Sequence, residues 1–402
     1  MDRRRLPQSS VIEQGVNKLR FFEFFAGGGM ARAGLGDGWE CAFANDFDAM
    51  KAAAYRENWC GDHFKLGDIN DLTTSDLPGY ADLAWASFPC QDLSLAGNAA
   101  GLGTEKLQTR SGAFWAFWRL MLGLQDEGRA PALIVLENVY GVLTANGGRD
   151  FALIGRALAL AGYRFGAIVL DAVHFLPQSR PRVFIIGYRA DVAVNEQWLG
   201  ESRDAVWHPP AMVAAIDRLA EIDREQWLWL RLPTPPLRQL SLAELVDDVP
   251  DGVAWHSSTE TAHLLAMMGT ASRAKLDRMR GAGHRMVGTI YRRGRPDETG
   301  RVRQRAELRD DQIAGCLRTP RGGSSRQTLL IVEGNLIRSR LLSPREAARL
   351  MGLPEAYKLP NRYNDAYHLA GDGLAVPAVR YLAAHLLEPT LAMQHSFAIA
   401  AE

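Results

Sequence analysis

Short, almost wholly apolar runs alternate with polar or glycine-rich punctuation in the first half of the chain. Leu19 to Phe25, then residues 40–44, 82–86 and 132–136, are runs of five to seven residues, too short for helices and each closed by polar residues, glycine or proline. Runs of this kind read as strands buried on both faces. Helical stretches fall between them: one reaching about Leu35 and closed by Gly36-Asp37-Gly38, a second at 114–121 and a third at 151–162. Two further strands are expected at 165–170 and 182–187. The alternation predicts an α/β fold with a Rossmann-like sheet occupying residues 1–190. From about residue 191 the rhythm gives way to short, proline-interrupted runs, read as a second, smaller domain over 191–335. Residues 336–402 return to the first domain. There Ser343-Pro344-Arg345-Glu346 is a capping box with proline at the first helical position, opening a helix stopped by Gly352. A last helix is expected from about Val376 to Leu387.

The residues that close the strands carry the chemistry, because ligands of open α/β sheets bind outside the carboxyl ends of the strands. The first strand runs into Ala26-Gly27-Gly28-Gly29, which either cradles a nucleotide or is simply a tight βα turn. Asp46 ends the second strand, placed to accept hydrogen bonds from ribose hydroxyls, and Asp68 repeats the pattern one unit later, placed to meet an adenine amino group. Pro89 stops the strand 82–86 and leaves Cys90 on the following loop among Gln91, Asp92 and Ser94, a poor setting for a core thiol and a good one for a nucleophile. Glu137-Asn138-Val139 ends a fully apolar strand, so a raised carboxyl pKa is expected at Glu137. Gln178-Ser179-Arg180-Pro181-Arg182 leads into the strand 182–187.

Composition narrows the class. No stretch approaches the 18 apolar residues a membrane span needs, and the basic start lacks an apolar segment after it, so a cytoplasmic protein is expected. Cys41, Cys60, Cys90 and Cys316 show no metal-ligand spacing, and no metal is expected. Basic and acidic residues balance at 46 each, but unevenly: residues 271–345 hold 18 of the basic and seven of the acidic ones, a net +11. A polyanion-binding face is expected there, and the preference for Arg suits phosphates and guanine edges.

Taken together, Phe25-Ala26-Gly27-Gly28-Gly29, Phe88-Pro89-Cys90-Gln91, Glu137-Asn138-Val139, Gln178-x-Arg180-x-Arg182 and Ser343-Pro344-Arg345-Glu346 with Met351-Gly352 resemble the C5-cytosine DNA methyltransferases, in that family's order over residues 20–190 and 335–390. The resemblance implies a methyltransferase sheet that binds S-adenosylmethionine, and a second domain that recognises the target. It implies catalytic roles for Cys90, Glu137, Arg180 and Arg182. It places the cofactor against Phe25, Ala26, Gly27, Gly29, Asp46, Phe47, Asp68, Ile69, Pro89, Phe114 and Asp372. DNA contacts are implied for Gln91, Ser94, Asn138, Gln178, Arg318, Thr319, Arg321 and Arg326. The 91–112 loop is the candidate clamp over a flipped-out base.

The chain departs from the pattern in three places. Gly371-Asp372-Gly373 stands where Gly-Asn-Ser/Ala is usual, Cys316-Leu317 replaces Thr-Leu, and Thr109-Arg110-Ser111-Gly112 differs from Ser-Arg-Gly by one residue. The expected partner is double-stranded DNA, bound by a nucleoid-associated monomer, with a cognate restriction endonuclease acting separately left open. The alternative substrate is a tRNA cytosine, against which the Arg-rich second domain argues.

Overall fold

The computed structural model describes residues 18–89, 112–296, 298, 300–318 and 326–401, with side chains to Ser396. Eight strands form the large sheet: β1 (Leu19–Phe24), β2 (Trp39–Asp46), β3 (Phe64–Leu66), β4 (Leu83–Ala86), β5 (Leu133–Val139), β6 (Tyr163–Asp171), β7 (Pro181–Arg189) and β8 (Trp227–Leu228). Their order is β3-β2-β1-β4-β5-β7-β6-β8. The first five are parallel, and β7 runs antiparallel to both β5 and β6. The chain leaves β1 towards one edge and returns at β4 towards the other, so the crevice of the sheet opens between the ends of β1 and β4.

Both faces of the sheet are dry because the strands are apolar at successive positions. Phe21, Leu83, Trp85, Leu133 and Val135 pack into one core, and Phe22, Ala84, Ala86, Ile134 and Leu136 into the other. That two-sided burial is what the unbroken apolar runs required.

A second sheet is antiparallel, with order β10-β9-β11-β12 from β9 (Met286–Pro296), β10 (Val302–Arg309), β11 (Thr328–Glu333) and β12 (Leu336–Leu341). Alternation along β11 divides it between two environments. Leu330 and Val332 pack with Leu264, Leu276 and Met279 from the helices Ser258–Ala266 and Thr270–Arg280, and with Met268 between them. Leu329 and Ile331 point the other way, into a main core. The break at residue 191 is not where the second lobe starts. Trp207, Leu230, Leu232, Leu242 and Leu245 are buried in the main core, and β8 extends the large sheet beside β6. The small sheet also runs past residue 335, to Leu341.

The capping box at Ser343 forms, with Ser343 Oγ accepting from the Glu346 N–H and Glu346 accepting from the Ser343 N–H. The same carboxylate takes both terminal nitrogens of Arg340, at 2.6 and 2.7 Å, and the Asp247 N–H, with both side chains fully buried. Burial alone would raise the Glu346 pKa, but Arg340 and the backbone donors outweigh it and hold it below the ordinary range. This pair fastens β12 to the main body. Removing one partner leaves a buried charge unpaired, so Glu346→Ala should cost about 3–5 kcal/mol, read as a lower urea midpoint. R340M/E346L should cost less than that single change. With the folded pKa depressed, the contribution is complete at neutral pH and is lost as the pH falls below the ordinary Glu value of about 4.3.

Candidate active site

Three of the five residues from Phe25 to Gly29 are left-handed: Phe25 at φ 58°, Gly27 at 56° and Gly29 at 76°. For phenylalanine that conformation is strained, and strain of this kind concentrates at binding sites. The turn is held from three sides. Asp46 Oδ2 accepts the Gly27 N–H at 2.8 Å. The Gly28 carbonyl accepts from Trp59 Nε1 and from the Tyr357 hydroxyl. A Cβ on Gly28 would lie 2.4 Å from that hydroxyl, whereas one on Gly27 would meet nothing within 4 Å, so the turn is packed beneath and open above.

The open side is flanked by groups that suit a nucleoside. Phe47, at the end of β2, is 71% exposed, an aromatic ring presented rather than packed. Asp46 is nearly buried. Burial raises its pKa most, and Lys51 and the Asp48 and Gly27 N–H groups pull against it. Asp68 is exposed and caps the turn Ile69–Asp71 through the Asn70 N–H. Ile69 is buried, Ala26 donates its N–H to the Asn45 carbonyl, and Pro89 is exposed. Phe114 lies beneath this space, against the ring of the residue before Pro89. It is 1% exposed, stacked on Trp118 and tilted against Phe88, so it packs in the core.

Beside β1, the ends of β4 and β5 bring the second half of the site together. Cys90 follows Pro89 directly but, with Gln91, Ser94, the 91–111 loop, Thr319 and Arg321, lies outside the described residues. Glu137 on β5 stands opposite Phe184 of β7, and Arg182 stands two positions along on the same face, within diagonal reach. Arg182 Nε lies 3.1 Å from Glu137 Oε1. Burial raises the Glu137 pKa; Arg182, Arg180 and the Ser87 hydroxyl pull it down, and burial wins. A carboxyl so balanced can hold or release a proton toward a polar ligand.

Three expected contacts take other work. Arg180 is 1% exposed. Its Nη1 donates to the Leu317 carbonyl and Cys316 Sγ, and its Nη2 to the carbonyls of Gly371 and Gly373. With those nitrogens committed, Arg180 does not reach into the crevice beside Arg182. Burial lowers its pKa to about 10. Gln178, expected on DNA, is fully buried, accepting from the Leu317 N–H and donating to the Leu350 carbonyl. Asn138, also expected on DNA, donates to the Phe88 carbonyl and accepts from the Val139 N–H, fixing the approach to Pro89. Arg318 is exposed beside the Tyr291 ring, while Arg326 lies over Tyr363 and bonds Asn364. Lys51, which no sequence pattern singled out, reaches Asp372 at 2.9 Å, and His368 meets the same carboxylate at 2.7 Å.

A sequence profile of the C-5 cytosine-specific DNA methylases matches residues 19–388. The type II methyltransferase M.BsuFI of Bacillus subtilis is 34% identical over 181 residues, 44% of this chain and 41% of that one. The orphan methyltransferase M.SPBetaI of Bacillus phage SPbeta is 26% identical over 64% of this chain and 63% of its own, so this chain spans less than two thirds of either relative. The type II methyltransferase M.HhaI of Haemophilus parahaemolyticus matches at 25% identity over 93% of this chain and 95% of its own. Among solved structures, the S. pombe Dnmt2 methyltransferase shares the fold, with TM-score 0.56 at 17% identity over 92% of this chain and 99% of that one.

The two arginines should separate in the test tube. Arg180→Met removes hydrogen bonds between buried elements and should cost about 2–4 kcal/mol, seen as a lower thermal midpoint. Arg182→Met should cost less at low pH. Because it removes a group that lowers the Glu137 pKa, R182M protein should lose stability more steeply than the parent as the pH rises through that raised value.

Proposed function

The chain belongs to the C-5 cytosine-specific DNA methylase family, and from that premise we propose that it methylates C5 of a cytosine flipped out of a specific double-stranded DNA sequence, with S-adenosylmethionine as donor. The observation that carries this reading is the buried Glu137–Arg182 pair at the end of β5, next to the strand that delivers Pro89 and therefore Cys90.

The residues present fit the donor. The open Gly27 position, the presented Phe47 ring, and the Asp46 and Asp68 carboxylates suit an adenosine lying across the ends of β1, β2 and β3. When bound, the cofactor supplies an electrophilic sulfonium methyl. The chain's own residues make cytosine able to accept it. The Cys90 thiolate forms a bond to C6, and the electron pair of the C5–C6 bond turns C5 into a nucleophile. Glu137, whose pKa burial raises, donates a proton to N3 and takes up the charge that builds there. Arg182 holds the Glu137 carboxyl in place and faces the base carbonyl, while Arg180 and Asn138 position the two loops around it. Loss of the C5 proton and expulsion of Cys90 restore the ring.

The substrate reading rests on the second lobe. Exposed Arg293, Arg295, Arg301 and Arg303 crowd the β9–β10 hairpin, giving a field that attracts a polyanion. Arg318, exposed next to Leu317 whose carbonyl Arg180 holds, is the described arginine we assign to a base edge; Arg326 is held against Tyr363 and serves position rather than readout.

DNA carrying 5-fluorocytosine should form a denaturation-resistant adduct with the protein in the presence of S-adenosylmethionine, because fluorine blocks the last elimination. Equal adduct yield from Cys90→Ala would overturn the nucleophile assignment. Glu137→Gln should bind cofactor and DNA yet lose roughly 10²–10⁴-fold in single-turnover rate. The parent should slow on the alkaline side as Glu137 ionises, and the variant should lack that limb.

A further inference from the structure

The register of the small sheet leaves part of it projecting. β11 pairs with β9 from Met286 to Ile290, whereas β9 and β10 stay paired as far as Pro296 and Val302. Residues 291–296 and 302–307 therefore form a two-stranded ribbon beyond the end of β11. Residues directly opposite across a ladder share a face, and faces alternate along each strand. One face of the ribbon carries Arg293 opposite Arg305, Arg295 opposite Arg303, and Tyr291 opposite Glu307. On the other face of the same strands, Ala306, Leu308 and Ile290 sink into the core under the two helices. The arginine face is continuous with Arg318, because Arg318 and Arg293 both lie over the Tyr291 ring, 5.6 and 6.0 Å from its centre.

A carboxylate stands among these arginines. Glu307 Oε1 accepts from Arg295 Nε at 2.5 Å, and Glu307 Oε2 lies 3.2 Å from Arg293 Nε. The Arg295 hydrogen bond above all holds the Glu307 carboxyl below the ordinary range. All three side chains remain partly exposed. Exposed ion pairs add little stability, so stability does not account for an acid on this face. Orientation does. A guanidinium has five N–H donors, and one spent at Nε leaves the four of the terminal fork. We propose that Glu307 positions Arg293 and Arg295 so that each fork takes O6 and N7 of a guanine in the major groove. The inference rests on the DNA reading above and names the bases that are read. A two-stranded ribbon fits that groove. Two residues of a strand rise about 6.7 Å and two base-pair steps about 6.8 Å, so the two guanines lie no more than two base pairs apart.

Methylation of a random-sequence duplex library by the full chain, read by bisulfite sequencing at two salt concentrations, tests this. The parent target should contain two guanines within that spacing, on either strand. Arg293→Met and Arg295→Met should each lose discrimination at one of them, by about five- to a hundredfold, the value of one bidentate guanine contact. Glu307→Gln should weaken both preferences, raise methylation of non-target sequences through its lost negative charge, and melt near the parent temperature. In R295M/E307Q, preference at the Arg295 guanine should fall no further than in R295M, because the glutamate acts there through Arg295. A parental sequence preference in E307Q overturns the proposal. So does a loss in R293M and R295M that is equal for all sequences and lowers the salt slope, which would make both phosphate contacts. A parent target without such a guanine pair overturns it as well. A parent that methylates no DNA overturns the DNA reading, and this assignment with it; the other outcomes leave that reading standing.

Discussion

A buried guanidinium joins the two lobes. Arg180 spends its terminal nitrogens on the Leu317 carbonyl and Cys316 Sγ, at the edge of the small sheet, and on the carbonyls of Gly371 and Gly373, beneath the glycine turn. Neutral acceptors pay for a buried charge less well than a carboxylate does, and its pKa is pulled down accordingly. The arrangement persists because the surrounding backbone aims its dipoles at one point. Moving either lobe would strand that charge, so the positions of residues 316–317 and of residues 371–373 beneath the turn are set together.

Around that anchor, burial and opposed charges compete at the buried carboxylates, with different outcomes. At Glu137 burial prevails over two arginines and favours the neutral acid; at Glu346 the arginine and backbone donors prevail over burial and favour the anion. The difference lies in the number of donors. Glu346 accepts from both terminal nitrogens of Arg340 and from two backbone N–H groups, a satisfied structural pair. Glu137 has the single Nε of Arg182 and the Ser87 hydroxyl, which leaves capacity for a ligand. The same residue type thus fastens the fold in one place and keeps room for a ligand in another.

The sequence made the large sheet readable because its central strands carry apolar residues on both faces and end on polar residues at the ligand side of the sheet. Glu137 and the glycine turn were visible on that ground. What sat beside them was not. Gln178, Asn138 and Arg180 occupy loop and strand-end positions whose side-chain direction has no period, so polar character suggested solvent and DNA where the fold buries them. Lys51 and Asp372 are 321 residues apart, and no local pattern pairs them. The segment after residue 191 misled for a different reason: β8 has two residues and its neighbours are single tryptophans and leucines, too short to show a rhythm, although Trp207 and Leu230 are as deeply buried as any in the sheet.

The central claim is the atom that receives the methyl group. Mass spectrometry of nucleosides, from both DNA and tRNA of a host expressing the protein, tests it most directly. The account predicts 5-methyldeoxycytidine in the DNA, absent when Cys90→Ser is expressed instead. Methylation confined to tRNA, or a methyl group on a cytosine or adenine exocyclic nitrogen, would contradict it.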